Sequence, residues 1–204
     1  MADILFDGLP VLDLLEITPS TSAVAQLTQR DQSSISRIYR QVSQRLGLEF
    51  CKQSNGVYRA GANQRLLEGL RLSSQWLRLH HDPGEPRWLA CGKAAERLTD
   101  QPKQPTLPAA MVQRFSQPQR LEQLLLERVL DLAVITRASA EAPEAAPAHE
   151  ALLELPLLRS RHGVELILLR RDLEEQPAIT ALISSLGQAY RHHHEQHPEL
   201  EWLG

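Results

Sequence analysis

The sequence lacks most of the features that would fix its class at once. No apolar run approaches the roughly 18 residues that a membrane span requires, so no membrane role is expected. The N-terminus, MADILFDGLP, carries acids and no basic region, so no secretory signal is read there. The two cysteines, Cys51 and Cys91, sit in unrelated contexts and form no Cys-x-x-Cys pair. That excludes a disulfide scaffold and fits reduced, structural thiols in a cytoplasmic protein. There is no glycine-rich phosphate loop, no Ser-His-Asp order with a local signature and no internal repeat. No catalytic residue, cofactor or metal is therefore expected, and the chain is not read as an enzyme. Nor is there an overall excess of basic residues, because the formal net charge is −3.

The charge is unevenly distributed. Between Arg30 and Arg78 there are nine Lys/Arg and three acids, Asp31, Glu49 and Glu68, for a net charge of +6. The remainder of the chain therefore sums to −9. A basic segment on an acidic chain of 204 residues is the footprint expected of a polyanion-binding module.

The elements along this segment are short. Pro10 opens a first helix with Val11, Leu12, Leu14 and Leu15 as its apolar stripe. A second helix, residues 23–29, points Ala23, Val24 and Leu27 inward. Asp31 caps a third, whose buried set is Ile35, Ile38, Val42 and Leu46 and whose end is Gly47. Two extended pieces then flank Asn55-Gly56, a strong hairpin signal. A longer helix begins near Asn63, which caps it. Leu66, Leu70 and Leu77 lie on one stripe of this helix, and Leu72, Trp76 and Leu79 on another.

Three helices followed by a hairpin describe a winged helix-turn-helix, in which the third helix enters the DNA major groove. Residues 30–47, RDQSSISRIYRQVSQRLG, contain no glutamate. Gln32, Ser33, Ser36, Arg37 and Arg40 face away from the core stripe, with Gln41 and Gln44 beside them. Gln reads adenine, Arg reads guanine, and Ser serves bases or phosphates. A plain solvated polar face is the competing reading, and the helix–helix–helix–hairpin order weighs against it.

The stretch SAVAQLTQRDQSSISRIYRQVSQRLGLEF resembles the DNA-binding domain of LysR-type transcriptional regulators. Ser22, Ala23, Leu27, Gln32, Ser33, Ile35, Ser36, Arg37, Leu46, Gly47 and Phe50 match the family pattern. The molybdate-responsive regulators share a similar domain. The resemblance implies that Gln32, Ser33, Ser36 and Arg37 contact bases and phosphates, with Arg40 alongside, and that Lys52 stands where the wing usually has Arg. Asn55 and Arg59 occupy wing positions where this chain departs from the pattern, and Arg59 replaces a lost positive charge. It also implies a homodimer joined through the helix after the wing, by Leu66, Leu70, Trp76 and Leu77. Packing of those stripes on the chain's own domain is the alternative.

The second half alternates strands and helices, as an α/β domain does. RWLAC (87–91), DLAVIT (131–136) and GVELILLRR (163–171) read as strands, residues 109–128 as helical, and Pro177 as the start of a last helix. Residues 99–108 are a Pro-rich connection, and 137–150 an Ala/Pro/Glu-rich loop. By resemblance, this half is one small lobe, half of a periplasmic-binding-protein-like domain. Only 26 residues separate Thr136 from Gly163, too few for a second lobe. Without an interlobe cleft, small-molecule sensing is reduced or absent.

The expected class is thus α+β and multidomain. Residues 1–62 form the winged helix-turn-helix, 63–82 a linker and dimerisation helix, 83–190 the truncated α/β domain and 191–204 a His-rich tail. Double-stranded DNA and a second copy are the expected partners, with a protein partner possible through residues 83–204. The rival function is a winged-helix protein–protein adaptor that has lost specific DNA binding. His193 and His197 stand four apart, as zinc ligands can, but His-Glu-x-x-His is one residue short in His194–His197. The plainer reading is that these histidines close the last helix, where the dipole favours positive charge.

Overall fold

The computed structural model describes residues 4–18, 20–52, 58–80, 84–100, 118–138 and 149–204. The chain divides into two compact units, Met1–Leu77 and Arg78–Gly204. That division falls inside the helix that sequence reading set apart as a linker over 63–82.

The first unit opens with one π-helical turn, Ile4–Gly8, that runs into α1 (Leu9–Ile17). Pro10 sits in the first turn of α1, where its missing N–H costs nothing. Helix α1 is buried on almost every side, by Leu9, Val11, Leu12, Leu14, Leu15 and Ile17. Ser20 caps α2 (Thr21–Thr28): its Oγ accepts the Ala23 N–H at 3.1 Å. The buried face of α2 is Val24 and Ala25, while Leu27 is 39% exposed. The inward position expected for Leu27 is thus corrected, because the helix rolls its adjacent Val24–Ala25 pair onto the core.

Helix α3 (Gln32–Leu46) buries Ile35, Ile38 and Val42, as the 3.6-residue spacing requires. Asp31 occupies the N-cap position in an extended conformation, but its side chain makes no capping hydrogen bond. Gly47 ends α3 at φ +60°, a left-handed conformation that glycine adopts without strain. The Leu48 N–H returns to the Ser43 carbonyl at 2.8 Å.

The strands β1 (Phe50–Lys52) and β2 (Tyr58–Ala60) pair antiparallel, with Phe50 opposite Ala60 and Lys52 opposite Tyr58. Residues 53–57, with the expected Asn-Gly turn, lie outside the described residues.

Helix α4 spans Gln64–His80. Asn63, itself at φ +53°, does not cap α4 through its side chain. Its Nδ2 instead donates to the Leu46 and Gly47 carbonyls at 2.9 and 3.2 Å, satisfying the end of α3.

Helices α1 and α4 are also joined by a buried ionic contact. Arg71 of α4 donates through Nε to Asp13 Oδ1 at 2.8 Å and through Nη2 to Glu16 Oε1 at 2.7 Å, both acids on α1. The Arg71 and Asp13 side chains are 3% and 1% exposed. Burial pulls the Arg71 pKa down, but Asp13 and Glu16 outweigh it and the guanidinium ends up above its ordinary value.

Among the described residues, the second unit is built on a five-stranded sheet in the order β3-β4-β6-β5-β7. Its strands are β3 (Trp88–Ala90), β4 (Leu132–Arg137), β5 (Leu152–Ser160), β6 (Gly163–Arg170) and β7 (Glu201–Trp202). Only β3 and β4 run parallel; β4–β6, β5–β6 and β5–β7 are antiparallel. The helices are α5 (Lys93–Asp100), α6 (Pro118–Leu126) and α7 (Pro177–Gln196), with a 3₁₀ turn at Arg171–Leu173. Trp88, Leu132, Val134, Ile167 and Leu169 of the sheet pack with Ile179, Leu182, Leu186 and Tyr190 of α7 in one core.

Strand β5 was not expected, and it lies between Thr136 and Gly163. Residues 191–196 continue α7, and Glu201–Trp202 add a strand to the sheet. The Pro-rich connection from 101 onward, residues 109–117 and most of the Ala/Pro/Glu-rich loop (139–148) lie outside the described residues.

Two carboxylates organise this unit from inside. Asp131 accepts from Arg78 Nη2 at 2.9 and 3.1 Å and from the Arg87 N–H at 2.7 Å. Glu165 of β6 accepts from Arg97 Nη2 at 2.7 Å and from the Tyr190 hydroxyl at 2.8 Å. Burial, then Glu165, hold the Tyr190 phenol well above its ordinary pKa. The buried Cys91 thiol is pushed up to about 11 by desolvation.

Candidate nucleic-acid interface

Helix α3 has one buried side and one polar side, and the polar side carries the residues singled out from sequence. Gln32, Ser33, Arg37, Arg40, Gln41 and Gln44 are exposed, and Ser36 is half-buried. Among the described residues, Arg37 and Arg40 meet no carboxylate. Arg30, just before the helix, is held by Asp7 at 2.9 Å. Gln32 is tied to α2: its Nε2 donates to Thr21 Oγ1 at 3.2 Å. That bond fixes the amide at the start of α3 and leaves its carbonyl oxygen to accept.

The wing is anchored to α3 by aromatic packing. Tyr39 meets Phe50 of β1 and Tyr58 of β2 edge-on, with ring centroids 5.9 and 5.8 Å apart. Burial, then the neighbouring Tyr58 and Cys51, raise the Tyr39 pKa, and Arg40 opposes them.

Strand register separates the wing's two cations. Lys52 pairs with Tyr58 and Cys51 with Arg59, so Lys52 and Arg59 project from opposite faces of the hairpin. Lys52 lies on the face turned to Tyr39, with Nζ 6.0 Å from the centre of the Tyr58 ring. Arg59 is half-buried and has interactions of its own. Sequence reading grouped these two cations, and the pleat places only Lys52 beside α3. Asn55 lies outside the described residues.

Of the side chains assigned to self-association, Leu66, Trp76 and Leu77 are exposed, Trp76 at 58%, and Leu70 is half-buried. Leu72 joins them, also exposed. On the same helix the buried positions in the first unit include Leu67, Arg71, Ser74 and Gln75. The pattern inverts the usual one. Polar residues are inside, and an apolar row is left out.

The His tract does not form a metal ligand set: among the described residues, no three His, Cys, Asp or Glu side chains gather to hold an ion. His193 instead faces Arg97 and stacks near His197, ring centroids 4.3 Å apart. Burial, then Arg97, hold the His193 pKa down. No helix among the described residues is long and apolar enough to cross a membrane.

No protein-family model matches the chain, and no curated protein does. Solved structures give distant likenesses. A mutant of OxyR from Corynebacterium glutamicum is 18% identical, with 74% of this chain and 49% of that one covered and a TM-score of 0.36. ArgP from Mycobacterium tuberculosis is 19% identical, covering 79% and 57%, with a TM-score of 0.33. Full-length OxyR from Pseudomonas aeruginosa is 12% identical, covering 77% and 54%, with a TM-score of 0.39. The chain spans about half the length of such structures.

Proposed function

We propose that the chain is a sequence-specific DNA-binding transcriptional regulator of LysR-like type. Dimers would place two copies of α3 in successive major grooves, roughly 34 Å apart, on an interrupted palindrome. The observation that carries this reading is the outward face of α3. It is acid-free, it presents Gln, Ser and Arg at helical spacing, and its Arg37 and Arg40 have no carboxylate partner among the described residues. A solvated structural helix gains from interspersed acids; a helix that faces phosphates is weakened by them.

The exposed row Leu66, Leu72, Trp76 and Leu77 supports self-association through α4. Reduced small-molecule sensing is supported by the stretch between Thr136 and Gly163. Its described part holds one strand, β5, paired into the existing sheet and adding no lobe of its own.

The test is a mobility-shift selection on genomic fragments with the full chain and with the Arg37→Ala/Arg40→Ala variant. Wild-type protein retains a defined set of fragments, and the variant loses the preference. Absence of any retained fragment at low salt would replace this reading with the protein–protein adaptor.

A further inference from the structure

We infer that Tyr39 positions the wing against α3, and that Lys52 reaches the DNA backbone only because of it. This deepens the DNA-binding reading and rests on it.

Aromatic residues are scarce, three each of Phe, Tyr and Trp in 204 residues, yet three of the nine meet at this one place. Tyr39 is the only one of them on α3. Its ring meets Phe50 at an interplanar angle of 82° and Tyr58 at 65°. One side chain of α3 therefore contacts both wing strands.

Each wing strand has three residues among those described. A two-stranded ribbon this short is marginal by itself, so its orientation comes from what it packs on. The register places Phe50, Lys52 and Tyr58 on one face, the face that meets Tyr39. Lys52 Nζ in turn lies over Tyr58, at the outer limit of cation–π reach. A contiguous path thus runs from Tyr39 through Tyr58 to Lys52, and it begins one residue before Arg40 on the exposed face. Tyr39 is a positioning residue. It acts on DNA through the cation at the end of that path.

The experiment measures binding of the full chain to a random-sequence duplex across a salt series, with thermal melts to establish folding. Lys52→Ala flattens the dependence of log K on log salt by about one unit. Tyr39→Leu is expected to remove the same unit. Tyr39→Phe, which keeps the ring, retains the wild-type slope, and the Tyr39→Leu/Lys52→Ala double variant loses no more than either single one. Tyr58→Leu, which perturbs the same path from the wing, makes the same test if Tyr39→Leu does not fold.

A role confined to stability would lower the melting temperature and leave the slope of the folded variant unchanged, and that result overturns the inference. Additive losses in the double variant overturn it as well, as does an unchanged slope in Lys52→Ala. A wild-type chain that binds no duplex overturns the DNA-binding reading and this inference together; wild-type binding with additive losses overturns this inference alone.

Discussion

In the second unit, arginine after arginine is held by a carboxylate: Arg78 by Asp131, Arg97 by Glu165, Arg137 by Glu154, Arg159 by Glu201 and Arg170 by Asp172. On α3 of the first unit, Arg37, Arg40 and Arg45 meet no acid among the described residues. The first unit does not avoid ion pairs in general, since Arg30 binds Asp7 and Arg71 binds Asp13 and Glu16. The difference belongs to one helix face. A guanidinium that is given acids becomes part of the fold, most firmly where it is desolvated. One that is given none keeps its five donors for an outside partner.

The comparison breaks most visibly at Arg71. Arg71→Ala leaves two buried carboxylates without their cation, and an expected loss of about 3–5 kcal/mol is read from urea unfolding. The largest effect in the second unit is expected at Glu165, where Glu165→Gln weakens the charge-assisted bonds from Arg97 and removes a charged acceptor from Tyr190. About 2 kcal/mol is the anticipated cost in the same measurement. Arg37→Ala should behave in the opposite way. It changes stability by under about 0.5 kcal/mol and weakens binding to a selected site by about 1–3 kcal/mol while random DNA is affected less. Equal losses on both DNAs would remove Arg37 from base reading.

The smallest effect is at Asp172, which is half exposed. The hydrogen bond from Arg170 holds its carboxyl below the ordinary value. A depressed carboxylate pKa stabilises the fold above the unfolded value, about 3.9 for aspartate, and the gain is lost as pH falls through the folded value. Solvent screening limits it to under about 1 kcal/mol. Asp172→Asn should therefore flatten the acid limb of the stability–pH curve slightly and leave neutral binding unchanged.

Helix α3 was legible because two independent signals coincide in it. Its apolar spacing marks the buried side, and its missing acids mark the other. The hairpin strands were legible from Asn-Gly and from the extended residues around it. The aromatic anchor was not: Tyr39 stands beside the core stripe, four residues after Ile35 and three before Val42, but its partners, Phe50 and Tyr58, are 11 and 19 positions away in sequence, and spacing within one helix does not reveal them.

Strand β5 was missed for a local reason. Its run Leu152–Ser160 contains Pro156, which reads as a strand breaker. The residue is accommodated at a register shift between Pro156 and Leu158, and β7 pairs only with Leu158 and Arg159 of that strand. Arg71 was counted with the basic segment, and no property of its sequence neighbours separates it from Arg65 or Arg78.

Sequence alone determined which side of α3 is greasy and which is free of acids, because both follow from residue identity at a fixed helical period. It also determined that the basic charge is concentrated in one segment. Only tertiary structure decided which of those cations are spent on the fold. Pairing depends on acids far away in the chain, such as Asp13 and Glu16 for Arg71. Tertiary structure likewise decided which face of the wing turns to α3, because strand register assigns Lys52 and Arg59 to opposite sides.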